Sequence, residues 1–299
     1  MNIEALIRRG DLEAIEELFK RHVVGLTRTR CCELAIEAQN LDLLLYFDPA
    51  EEDLPALSRA AERSHSCDIV EYIRSRGHCI NLLHLLESNC LSCFRCQFVE
   101  SDDKLGRKGQ NSLIWRAVAS EDRIEILGFM LESGAVDVNT ADGSKRNLLA
   151  EACMKGHYEV SKFLLSRGAT IELGKSTDWN VVHAAVYGRN HDIVEMILDS
   201  GGRPHSENLT PLILAAGRCE TRTLQLLIDR GADVNSTVLL MGDQISAITE
   251  AVAEGRLENL KLLLHHGAKV DFSIIPDADR CVNSSCIDFL DNLKSELQS

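Results

Sequence analysis

Thr210-Pro211-Leu212-Ile213-Leu214-Ala215-Ala216, followed about twenty residues on by Arg230-Gly231-Ala232-Asp233-Val234-Asn235, is the stretch that decides the fold. Thr210 is of the type that caps a helix N-terminus. Pro211 suits the first helical turn, where no backbone N–H partner is needed. The alanines let a neighbouring helix approach closely. Gly231 closes a second apolar stretch, as glycine does at a helix C-terminus, because it takes the left-handed conformation at little steric cost.

Both phrases recur. Ser133-Gly134-Ala135, Arg167-Gly168-Ala169, Ser200-Gly201-Gly202 and His266-Gly267-Ala268 repeat the stop, and the first glycines of the five copies are 34, 33, 30 and 36 residues apart. Asn147-Leu148-Leu149-Ala150-Glu151-Ala152, Asn180-Val181-Val182-His183-Ala184-Ala185 and Ser246-Ala247-Ile248-Thr249-Glu250-Ala251 repeat the start. Self-similarity at such a period marks a stack of small helical units, each of which buries its apolar face only against its neighbours.

These phrases resemble the ankyrin repeat, whose hallmark reads Thr-Pro-Leu-His-x-Ala-Ala, then Gly-His, an apolar second helix and Gly-Ala-Asp-Val-Asn. Asp137-Val138-Asn139 and Ala232-Asp233-Val234-Asn235 match the ending, and Gly156-His157-Tyr158-Glu159-Val160 matches the turn between helices. The resemblance implies an all-α fold: an ankyrin-repeat solenoid of stacked helix-turn-helix units with short β-hairpin loops. It covers residues 107–272 as five regular repeats, the first of which carries a short insertion before its second helix. Residues 1–100 continue the phase as about four degenerate helix pairs. Their starts, near 1, 30, 56 and 80, are too closely spaced for a full projecting hairpin. Residues 101–110 are predicted to be a loop, and residues 273–299 to hold a capping helix of about Ser285 to Leu297, in one continuous solenoid. Residues 236–245 lengthen one hairpin and include Val238-Leu239-Leu240-Met241, either an exposed contact or a segment folded on the next repeat.

Charge narrows the partners. The chain of 299 residues has a net charge of −14, and residues 1–102, with 11 Lys and Arg against 18 Asp and Glu, carry half of it. Such a chain repels phosphate backbones and anionic lipid, which argues against nucleic acid and membrane, and it steers a basic partner surface favourably. No signal peptide can be drawn in the first twenty residues, and no apolar run reaches membrane-spanning length. The expected location is cytoplasmic or nuclear, and the eleven cysteines are expected to be reduced thiols.

Candidate chemistry is sparse. Cys90, Cys93 and Cys96, with Cys79, His78 and His84 nearby, have spacing compatible with a metal site. Three-residue spacing also places cysteines on one helix face as small apolar residues, and the repeat phase favours that reading. Nucleophile elbow, phosphate loop and zinc-protease motifs are absent, so the sequence assigns no catalytic residue, no cofactor and no metal ligand. His183 reads as structural. By the resemblance, Asn139 and Asn235 read as hairpin turn residues, and asparagines in that setting can also be targets of an asparaginyl hydroxylase.

The resemblance places binding on a concave groove of hairpin tips and exposed first-helix positions. Here these positions are Lys145, Arg146, Met154 and Lys155; Ser176, Thr177, Trp179 and Tyr187; and Leu209 and Arg218. Large aromatics and arginine are typical interface anchors, so Trp179, Tyr187 and Arg218 form the sharpest site expectation, with Trp115 assigned to the core. The function implied is a non-catalytic protein-binding module, scaffold or inhibitor, monomeric alone. An adaptor presenting a bound protein to ubiquitin-ligase or other machinery is the alternative, and an enzyme or metal-binding protein a more remote one.

Overall fold

The computed structural model describes residues 3–20, 26–64, 66–77, 81–87, 89, 91–92, 94–95, 98, 112–171, 180–204, 210–240, 242–272, 275, 282 and 284–298. The chain divides into two compact units, Met1–Ala117 with Asp122–Val136, and Val118–Glu121 with Asp137–Ser299.

The first unit is built from helix pairs. They are α1 (Ile3–Arg9) with α2 (Leu12–Lys20), α3 (Arg28–Glu37) with α4 (Leu41–Phe47), and α5 (Leu54–Ser64) with α6 (Cys67–Ser75). α7 (Leu82–Glu87), a helix over residues 112–118 (α8) and α9 (Ile124–Glu132) follow. The first helices of successive pairs pack in a row, α1 on α3, α3 on α5 and α5 on α7. Side-chain caps begin several of the helices: Asp11 accepts from the Ala14 N–H, Thr27 from the Arg30 N–H, Asn40 from the Leu43 N–H and Asn81 from the Leu83 N–H. The extra residues expected before α9 form a single 3-10 turn, Glu121–Arg123. Phe94 and Phe98 are fully buried, and the Phe98 ring meets Phe129 edge-on at 5.7 Å. Trp115, assigned to the core from sequence, is half-buried: α8 turns Ile114 and Val118 fully inward and leaves the indole at the margin.

The second unit repeats one construction four times. The pairs are α10 (Leu148–Lys155) with α11 (Tyr158–Ser166), α12 (Val181–Tyr187) with α13 (His191–Asp199), α14 (Pro211–Arg218) with α15 (Thr221–Asp229), and α16 (Ala247–Ala253) with α17 (Leu257–His265). First helices stack as α10, α12, α14, α16, and second helices as α11, α13, α15, α17. A closing helix, α18 (Ser285–Gln298), packs on α16 and α17, with Cys286 and Leu290 buried. Strands β1 (Thr237–Leu240) and β2 (Asp243–Ser246) pair antiparallel, which gives the lengthened hairpin expected in this segment. Leu239 on it is 74% exposed, and Ser246 at its end caps α16.

The recurring polar residues join neighbours. Asn139 Oδ1 accepts from the Thr170 N–H at 2.8 Å, and Asn235 Oδ1 accepts from the Lys269 N–H at 2.8 Å, so each ties its hairpin to the next. The N-cap Asn147 also donates to the Thr170 carbonyl at 2.7 Å. At the helix turns the bonds run backward. Asn190 donates to the Gly156 carbonyl, and the buried Asn259 donates to the carbonyls of Ala216 (2.9 Å) and Cys219 (3.1 Å) while accepting from Thr221 Oγ1.

Burial separates the value of these bonds. Asn235→Ala, at an exposed hairpin, should cost about 1 kcal/mol, whereas Asn259→Ala, which strands two buried carbonyls, should cost about 2–3 kcal/mol. Urea denaturation followed by circular dichroism measures both, and an Asn235 cost equal to that of Asn259 would contradict the assignment.

Candidate functional site: the first-helix face of the second unit

The C-terminal ends of α10, α12, α14 and α16 present one exposed position after another. On α10 and the hairpin before it, Arg146, Glu151, Met154 and Lys155 form a connected group. Arg146 pairs with Asp142 at 2.9 Å and with Glu151 at 3.4 Å, its Nη1 lies 3.9 Å from Met154 Sδ, and Lys155 reaches Glu151 at 3.9 Å. Asp142 shapes the hairpin that carries Lys145, its Oδ1 accepting from the backbone N–H groups of Ser144 and Arg146.

On α12, Tyr187 is 42% exposed, and the Arg218 guanidinium of α14 stacks over its ring at 5.1 Å from the centroid. This is the cation–π geometry of an arginine on an aromatic face. Two of the three residues singled out from sequence are therefore brought together. Trp179, with Ser176, Thr177 and Leu209, lies outside the described residues, as do Cys79, Cys90, Cys93, Cys96 and His78.

Sequence reasoning missed the contribution of α16. A Cβ placed on Gly217 would sit 3.0 Å from Glu254 Cγ and 3.1 Å from Glu250 Oε2, so both glutamates lie down across α14 where that helix has no side chain. Seven residues after its N-cap, α12 carries Tyr187 and α14 carries Gly217. The absent side chain was visible in the sequence, but not what would fill its place. Burial, and then the charge of Glu254, raise the Glu250 pKa above its usual value, and Arg218 opposes them. Among the described residues neither carboxylate makes a salt bridge or a side-chain hydrogen bond.

The remaining chemistry-bearing groups are structural. His183 is fully buried in a capping box with Asn180, whose side chain accepts from the His183 N–H. Burial pushes the Cys153 thiol up to about 12 and the Cys219 thiol up to about 11, so both stay protonated at neutral pH and pack as apolar groups. Cys31, Cys32 and Cys286 are also buried thiols. Cys67 is disulfide-bonded, a departure from the all-thiol expectation. Among the described residues no group of three or more His, Cys, Asp or Glu could hold a metal ion. None of the described helices is long and apolar enough to cross a membrane. On the second-helix face, Tyr158, Asp192, Glu195, Met196, Asp199 and Ser200 line an open depression, where Asp199 is paired with Arg230 at 2.7 Å.

A family model described as ankyrin repeats (3 copies) matches residues 114–208 and 182–273, together more than half of the chain. The putative ankyrin repeat protein FPV014 of fowlpox virus is 29% identical over 145 residues, 47% of this chain and 32% of that protein. An L-asparaginase of Dirofilaria immitis is 33% identical over 120 residues, 39% of this chain and 20% of that protein. The human ankyrin repeat and SOCS box protein 3 is 31% identical over 94 residues, 29% of this chain and 18% of that protein. The chain thus spans about a third or less of the length of each.

The burial of Glu250 has a measurable consequence. Its raised pKa means the folded chain holds that proton more tightly than the unfolded chain does. The stability the proton contributes is lost as pH rises through the raised value. Glu250→Gln should therefore raise the thermal midpoint at pH 7, with the gain vanishing near pH 4, where wild type is itself protonated. Calorimetry at the two pH values checks this, and a lowered midpoint at pH 7 would contradict it.

Proposed function

Because the chain belongs to the ankyrin repeat family, we propose that it is a non-catalytic protein-binding module that seats its partner on the first-helix face around Tyr187 and Arg218. The observation that carries this reading is the half-exposed Tyr187 ring with the Arg218 guanidinium stacked on it, an aromatic–arginine pair of the kind that dominates interface energetics. Neither residue builds the repeat: caps, helix-turn bonds and apolar faces are made by others. Lys145, Arg146, Met154 and Lys155 extend the surface along α10 and its hairpin. Sequence position adds Ser176, Thr177, Trp179 and Leu209.

The net charge of −14 favours a protein partner with a basic surface, in the cytoplasm or nucleus, with the chain itself monomeric until bound. That field acts at long range. Within a Debye length, about 8 Å at physiological salt, the charges of the face itself decide the contact.

A second reading is an adaptor that presents the bound protein to ubiquitin-ligase or other machinery. Similarity to the human SOCS box protein favours it, over 94 matched residues. The L-asparaginase match spans only a fifth of that enzyme.

Tyr187→Ala combined with Arg218→Ala should reduce recovery of the principal partner in quantitative affinity capture by at least tenfold, the loss typical of an interface hot spot. Unchanged recovery would move the site elsewhere, with the hairpin around Leu239 the next surface to vary. A partner set dominated by ubiquitin-ligase components would favour the adaptor.

A further inference from the structure

Gly217 has a consequence for what the face can bind. The missing side chain draws Glu250 and Glu254 inward over α14. There Arg218 is the nearby cation, and its guanidinium is stacked on Tyr187 rather than paired with either carboxylate. Arg256, the other arginine at this spot, donates its Nε to the Gly217 carbonyl at 3.1 Å. The half-buried Glu250 therefore lies beside the exposed Glu254, and neither makes a salt bridge among the described residues. Partly desolvated like charges are costly until a cation reaches them.

We propose that the face formed by Tyr187, Arg218, Gly217, Glu250 and Glu254 docks a partner polypeptide through one lysine or arginine side chain. The head of that side chain sits against the two carboxylates and its stem against the exposed aromatic. The inference rests on the first-helix face being the binding surface. Three features argue for a basic occupant. The carboxylate pair supplies acceptors that an ammonium or, more fully, a guanidinium can bridge. The Tyr187 ring already holds one cation, which shows that its face suits another cationic stem or head. The charge of −14 over the whole chain attracts the same partner from a distance.

The order of charges predicts a selective contact, since Arg218 beside the pair repels a basic residue misplaced by one position. A partner segment with an isolated basic residue fits better than a polybasic run.

The test is selection of random twelve-residue peptides displayed on phage against the full chain. Sequences with one lysine or arginine at a fixed position should be enriched. A synthetic peptide from the pool should bind Glu250→Gln/Glu254→Gln at least tenfold more weakly in fluorescence polarisation. Changing its basic residue to Gln should cause a similar loss, with little further loss when both changes are combined. Misfolding would not account for the result, because relief of the carboxylate pair should leave the variant's thermal midpoint at pH 7 at or above that of wild type. Peptides that need Tyr187 but tolerate the double Gln variant would overturn this inference and leave the binding face standing. Peptides indifferent to Tyr187→Ala, or no enriched peptide, would overturn both.

Discussion

A helix of seven to nine residues cannot hold itself together in water, and that constraint shapes everything else in this chain. The first helices of the second unit have seven or eight residues and the second helices nine. Each survives only because its apolar side is sealed by its own partner helix and by neighbouring pairs of the unit. The polar groups left at every seam must then bond across it, which is the work of Asn139, Asn190, Asn235 and Asn259. Cohesion is local and repeated, as expected of an architecture in which each unit meets only its neighbours.

This division of labour frees part of the surface. Positions that cap, turn or seal are committed. Positions at the ends of the first helices are not, and there the chain places Met154, Lys155, Tyr187, Arg218, Glu250 and Glu254. The resulting face mixes charges within a molecule that is acidic overall. Its geometry comes from pairwise packing: a glycine on α14 admits two glutamates from α16, and an arginine on α14 finds an aromatic on α12. Glu250 is held where it costs stability when ionised, the usual relation between a binding surface and the fold that carries it.

Much of the fold was legible because each repeat states its own boundaries. Asn147, Asn180, Thr210 and Ser246 read as N-caps and are N-caps. Gly134, Gly168, Gly201, Gly231 and Gly267 read as left-handed stops, and all have positive φ. Tyr187 and Arg218 were legible as neighbours because both fall at the ends of first helices in adjacent repeats, one register position apart. The seat of Glu250 and Glu254 did not, because the gap at Gly217 and the residues that fill it lie more than thirty positions apart and no period links them. Nor did the half-burial of Trp115, which depends on how far α8 rotates against its neighbours rather than on its place in a phrase.

The central claim is that the partner sits on the first-helix face, not on the second-helix face. Photo-crosslinking tests it most directly, with a benzophenone amino acid replacing Tyr187 in one sample and Glu195 of α13 in another. Crosslinks to the partner from position 187, with few from 195, are the predicted result. Crosslinks chiefly from position 195 would contradict the account.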